Sequence, residues 1–117
     1  MQMQPILPPP EDIAIATEGA TLRGRLFLPR GRARASVVLH GASGVPAGFY
    51  RAFATWLAEQ RDLAVLTYDY RDFAGSAQGH PRLSRASMAD WGLHDQAAAL
   101  DWMAARLPET PRWVIGH

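Results

Sequence analysis

Residues 36–44 read SVVLHGASG. Val37, Val38 and Leu39 are contiguous rather than alternating, the pattern of a strand covered on both faces, and a Gly-rich loop follows at once. The same grammar returns twice. LAVLTYDY, residues 63–70, runs into a polar, Gly-containing loop, and RWVIGH, residues 112–117, carries an apolar run to Gly-His, as a strand does when it enters a sharp turn.

Helical spacing separates these runs. Tyr50, Phe53, Ala54, Leu57 and Ala58 recur at i, i+3, i+4, i+7 and i+8, predicting a helix to about Gln60. Leu93, Ala97, Leu100, Ala104 and Leu107 mark the buried stripe of a second helix, which Pro108 stops and a Ser87–Asp90 capping box starts. Upstream, residues 13–17 and 22–28 flank a Gly-containing turn and read as a hairpin, which Pro29 and Gly31 end. The fold class is therefore α/β: an N-terminal hairpin, then a mostly parallel sheet flanked by helices. Residues 1–12 read as an extended, proline-stiffened arm and 13–117 as one α/β unit.

Composition narrows the function. A chain of 117 residues, 48% apolar and 20% charged, suits one globular domain and not two. A net charge of +1 without a basic face gives no electrostatic reason to expect nucleic acid or an anionic membrane. There is no cysteine, so a disulfide, a Cys-ligated zinc and a thiol nucleophile are excluded. All 12 basic residues are arginine, and a P-loop needs a lysine on the terminal phosphates. His80, His94 and His117 lack metal-ligand spacing, so neither metal nor cofactor is expected. The opening MQMQPILPPPED has no basic n-region and is broken by prolines, and no apolar run approaches the ~20 residues of a membrane helix. The cytoplasm is the expected location.

Ligands of a parallel α/β sheet sit beyond the carboxyl ends of its strands. Here those ends are HGASG, DYRDFAGS and the terminal GH. Taken together, VVLHGASG, LTYDYRDFAGS and WVIGH behind an N-terminal hairpin resemble the α/β-hydrolase family, closest to bacterial serine-aminopeptidase-like and esterase-like members. The resemblance covers the chain from about Ile13 to His117.

That resemblance implies a serine hydrolase acting on an ester, amide or related small acyl substrate. It makes the backbone N–H of Ala42 an oxyanion donor, with Ser43 as the alternative, and Gly116 and His117 the first residues of a Gly-x-Ser-x-Gly elbow. The nucleophile is then expected at the position after His117, with the acid and base further on. His40 supports the loop rather than transferring protons. Asp69 and Arg71 are expected to knit the second loop through charge-assisted hydrogen bonds, while Asp72 and Ala74 stand where the family usually has glycine. His94 is expected on a solvated helix face, and Trp91, Trp102 and Trp113 in packing.

The final apolar strand is expected to need cover from the C-terminal remainder of the same fold, because it would otherwise form an exposed edge. An Asp nucleophile would indicate the epoxide-hydrolase or dehalogenase branch instead. A non-catalytic fragment assembling with a complementary chain is a further possibility. A nucleotide-binding module fits less well, since the glycines fall at 41, 44 and 48 rather than as Gly-x-Gly-x-x-Gly.

Overall fold

Glu18 and Gly19 turn the first hairpin, with Gly19 at φ +76°, and bring β1 (Glu11–Thr17) antiparallel to β2 (Ala20–Phe27). This is a computed structural model, and it describes residues 6–77 and 88–117. Strand β1 opens at Glu11, two residues before the expected Ile13, because Glu11 and Asp12 still pair with Leu26 and Arg25.

The next strands are β3 (Ala35–His40), β4 (Leu63–Tyr68) and β5 (Arg112–Gly116), and the sheet order is β1-β2-β4-β3-β5. The three contiguous apolar runs are parallel to one another, and β2 joins β4 antiparallel. The sheet is thus mixed, with its parallel half holding all three loops singled out above. Every residue of β3 is buried, as the unbroken Val37-Val38-Leu39 run requires of a strand with neighbours on both sides.

Helix α1 (Arg51–Arg61) covers one face, packing Ala54, Leu57 and Ala58 on Phe27, Val37 and Val65. A 3₁₀ turn (Ala47–Tyr50) leads into it, and Asp62 closes it in the left-handed conformation at φ 55°. Phe53, expected in the buried stripe, is exposed.

The opposite face is covered by a helical run made of α2 (Met88–Asp90), a π segment (Trp91–Gln96) and α3 (Ala97–Arg106). Here the expected stripe is corrected. Asp95, Ala99 and Met103 are wholly buried, Leu100 and Leu107 pack at the margin, Ala97 is exposed, and Leu93 is 71% exposed. A π turn carries an extra residue per turn, which rotates the stripe. Its inward-facing Asp95 reads as a surface residue in any apolar count. Ser87 of the expected capping box, like His80, lies outside the described residues.

Both clusters draw alternate residues from the same strands, Val37 and Val65 to one side, Val38 and Leu66 to the other. Each fully buried side chain of this size contributes roughly 1.5–3 kcal/mol, so the sheet is stabilised from two faces. Strand β5 pairs only with β3 among the described residues. Its Trp113 is 63% exposed, not packed as expected, because no described helix covers that border of the sheet. Trp91 and Trp102 do pack against the core.

Candidate active site

The parallel pairing of β3 with β4 and β5 brings His40, Tyr68 and Gly116 to one end of the sheet. The chain continues the ladder one step, with the N–H of His117 donating to the carbonyl of His40 at 3.1 Å. The loop after β3 and His117 at the exit of β5 therefore lie side by side.

In the loop, Val45 N–H donates to Ala42 O at 3.1 Å and Gly44 takes φ +81° at the third position, as a type II turn requires. The 3₁₀ turn then points Phe49 and Tyr50 back toward the strand ends. Tyr50 is buried, and its hydroxyl accepts the N–H of Ala42 at 2.9 Å and lies 2.7 Å from Nδ1 of His117. Phe49 stacks over the His117 ring at 6.4 Å with 6° between planes. The four expected residues are thus contiguous, but the Ala42 N–H already has a partner that sequence reading missed. No motif marks Tyr50, which the helical period scored as a core residue.

Tyr70 holds the other side of the same peptide. Its hydroxyl donates to Gly41 O at 2.9 Å, accepts from Gln96 Nε2 at 3.3 Å, and its ring stacks on Trp91 at 4.9 Å. Beneath the loop, His40 Nδ1 lies 2.5 Å from the Tyr68 hydroxyl. Burial pushes the His40 imidazole below its usual value and, with Tyr70 and Asp95 adding to it, holds the Tyr68 hydroxyl far above its own. A protonated phenol and a neutral ring therefore share this hydrogen bond, and His40 acts as a buttress for the strand end.

Asp69 and Arg71 do not bond to each other. Asp69 accepts the N–H of Ala47 at 2.7 Å and of Gly75 at 3.1 Å, so its carboxylate ties the loop after β4 to the loop after β3. Ser76 Oγ extends the tie, donating to Asp69 O and accepting from Arg23 N–H, both at 2.8 Å. Arg71 instead pairs with Asp95 and donates to Glu18 O at 3.0 Å. Asp72 and Ala74 take φ 59° and 46°, so they keep the glycine-like backbone that the resemblance implies at their positions. His94 is half-buried, with Nδ1 3.6 Å from Glu18.

A groove of about 570 Å³ flanks the 3₁₀ turn on the hairpin side, walled by Ala47, Gly48, Asp69 and the arginines Arg23, Arg25 and Arg51. Among the described residues no cluster of three His, Asp or Glu has the arrangement of a metal site. No described helix is long and apolar enough to cross a membrane.

No protein-family model and no curated relative matches the sequence. Solved structures do match in shape. An esterase of Pyrococcus furiosus, Pf2001, superposes with a TM-score of 0.73 at 19% identity, covering 92% of this chain and 42% of its own. An α/β serine hydrolase homologue from Coxiella burnetii gives 0.70 at 18%, covering 91% and 50%. XC6422 from Xanthomonas campestris, described as an α/β serine hydrolase without a lid, gives 0.72 at 16%, covering 95% and 52%. The protein therefore has the fold of the N-terminal portion of an α/β hydrolase, and it spans about half the length of these structures or less.

Proposed function

We propose that this chain supplies the oxyanion loop and the approach to the nucleophile of a serine hydrolase acting on an ester, amide or related small acyl substrate. The nucleophile follows His117, and the acid, base and remaining strands belong to the C-terminal remainder of the same fold. One observation carries the reading: the loops after β3 and β4 and His117 at the exit of β5 are hydrogen-bonded into a single cluster. The fold shared with esterases supports it.

In this reading the serine oxygen bonds to the acyl carbon as its proton passes to the base, and the carbonyl π pair moves onto the acyl oxygen as negative charge. Its return expels the alcohol or amine, which takes the proton from the base. A backbone N–H from the loop after β3, that of Ala42 shared with or released from the Tyr50 hydroxyl, or else that of Ser43, stabilises this charge together with an N–H of the elbow. Loss of one donor of such a pair costs about 10²–10³ in rate. Gly116 gives the tight entry to the elbow and His117 forms the pocket floor. The chemistry calls for no cofactor. The exposed Trp113 and Val114 of β5 form the border at which the remaining strands join.

The test is reaction of the full-length protein with a fluorophosphonate probe, followed by intact mass and peptide mapping. Labelling at the residue after His117, with turnover of p-nitrophenyl esters, is the expected result. Absence of both labelling and turnover sinks the proposal. An aspartate at that position, with an alkyl-enzyme ester trapped from an epoxide or haloalkane, replaces it with the Asp-nucleophile branch.

A further inference from the structure

The hydroxyl of Tyr50 has two partners from different strand ends, Ala42 N–H at 2.9 Å and His117 Nδ1 at 2.7 Å. Beside the N–H it accepts from Ala42, it shares one hydrogen bond with the imidazole nitrogen, giving its own proton or accepting the ring N–H according to the tautomer. The ring itself is wedged. It stands edge-on to His117 and to Phe49, with planes at 87° in both pairs. A Cβ at Gly41 would come within 3.0 Å of Tyr50 Cε2, so the glycine there permits the approach.

The peptide between Gly41 and Ala42 is consequently gripped at both ends, its carbonyl by Tyr70 and its N–H by Tyr50. A phenylalanine would fill the same space. What the hydroxyl adds is direction, since it fixes where the Ala42 N–H points relative to a side chain on the turn after β5. The backbone bond from His117 to His40 aligns the two strands but does not orient that N–H.

We infer that Tyr50 is a positioning residue for acyl transfer: its hydroxyl ties the loop after β3 to His117 at the end of β5 and so fixes the spacing between the oxyanion donors that the loop and the elbow supply. This rests on the serine-hydrolase reading. The opposite possibility, a hydroxyl that merely occupies the Ala42 N–H and must be displaced, predicts the reverse sign on mutation.

The experiment compares the full-length protein with Tyr50→Phe on p-nitrophenyl butyrate, and measures inhibition by phenylboronic acid, whose adduct with the nucleophile is tetrahedral. The expected result is a kcat lower by about 10- to 100-fold, KM within about two-fold, and boronate affinity weakened in step with kcat. Gly41→Ala, which displaces the ring while leaving its hydroxyl intact, should lower kcat comparably, and the double variant should be no worse than the poorer single one. Unchanged or raised kcat in Tyr50→Phe, or effects of the two substitutions that simply multiply, overturns the inference. A parent that labels with fluorophosphonate while Tyr50→Phe runs at full speed overturns this role alone. A parent that neither labels nor turns over ester removes the hydrolase reading and the role together.

Discussion

Arg71 Nη2 lies 2.8 Å from Oδ1 of Asp95, and the same arginine adds Nε–H to Oδ1 at 2.9 Å and its backbone N–H to Oδ2 at 2.8 Å. Asp95 is wholly buried and Arg71 partly so, and with the Tyr70–Gln96 bond the pair links the loop after β4 to the helical run on the opposite face. The hydrogen bond to Asp95 raises the Arg71 guanidinium further above its usual value, against the opposing effect of burial. Removing the carboxylate leaves the partly buried guanidinium and the Arg71 backbone N–H without their acceptor. Asp95→Ala should therefore lose about 1.5–3 kcal/mol in urea unfolding, whereas Asp95→Asn, which keeps the shape and one acceptor, should lose less. Equal, small losses for both would show that the pair contributes little.

Ala74 sits at φ 46°, where an L-residue with a Cβ is strained by about 1–2 kcal/mol. Ala74→Gly removes that strain at some cost in unfolded-chain entropy, so a net gain of about 0.5–1 kcal/mol is expected. Gly44→Ala, at φ +81°, should move stability the other way. Thermal unfolding of the two variants, with opposite signs, is the check.

The rotated stripe of the second helical run can be read by mutation. Met103 is wholly buried, so Met103→Ala should cost about 2–5 kcal/mol, while Leu93→Ala at an exposed site should stay within about 0.5 kcal/mol. Chemical denaturation of both decides between this packing and the one that the apolar period suggests; a reversed order of losses favours the latter.

His40 makes stability pH-dependent. Its unfolded reference is 6.5, and burial lowers the folded value, so on acidification the unfolded state takes up the proton first. Stability contributed by the neutral ring is full above about pH 6.5 and falls as pH drops below it, at no more than about 1.4 kcal/mol per pH unit for one proton. The group facing it is the Tyr68 hydroxyl, which stays protonated throughout this range. In His40→Gln the decline between pH 7.5 and 5.5 should be shallower than in the parent. Parallel stability–pH curves for the two proteins contradict this assignment.

Element order and the three loops that matter are legible in the residues alone. Contiguous Val37-Val38-Leu39 and Ala64-Val65-Leu66 can only be satisfied by cover on two faces, and the hairpin needs only its local turn at Glu18 and Gly19. These are short-range consequences of side-chain period and backbone freedom, so they survive without knowledge of neighbours. Ala42, Ser43, Gly116 and His117 fell into one region for the same reason, being strand-end residues of a parallel sheet.

Which groups bond to one another depends on the folded arrangement. Tyr50 reaches His117 across 67 residues, Arg71 finds Asp95 rather than Asp69, and Asp69 reaches the N–H of Ala47. Each depends on where the loops cross in space, which no local period encodes. The π segment at Trp91–Gln96 shows the same limit from the other side. A buried ion pair turns Asp95 inward and rotates the helix away from its most apolar stripe, an arrangement that becomes favourable only once the arginine is already waiting on the other element.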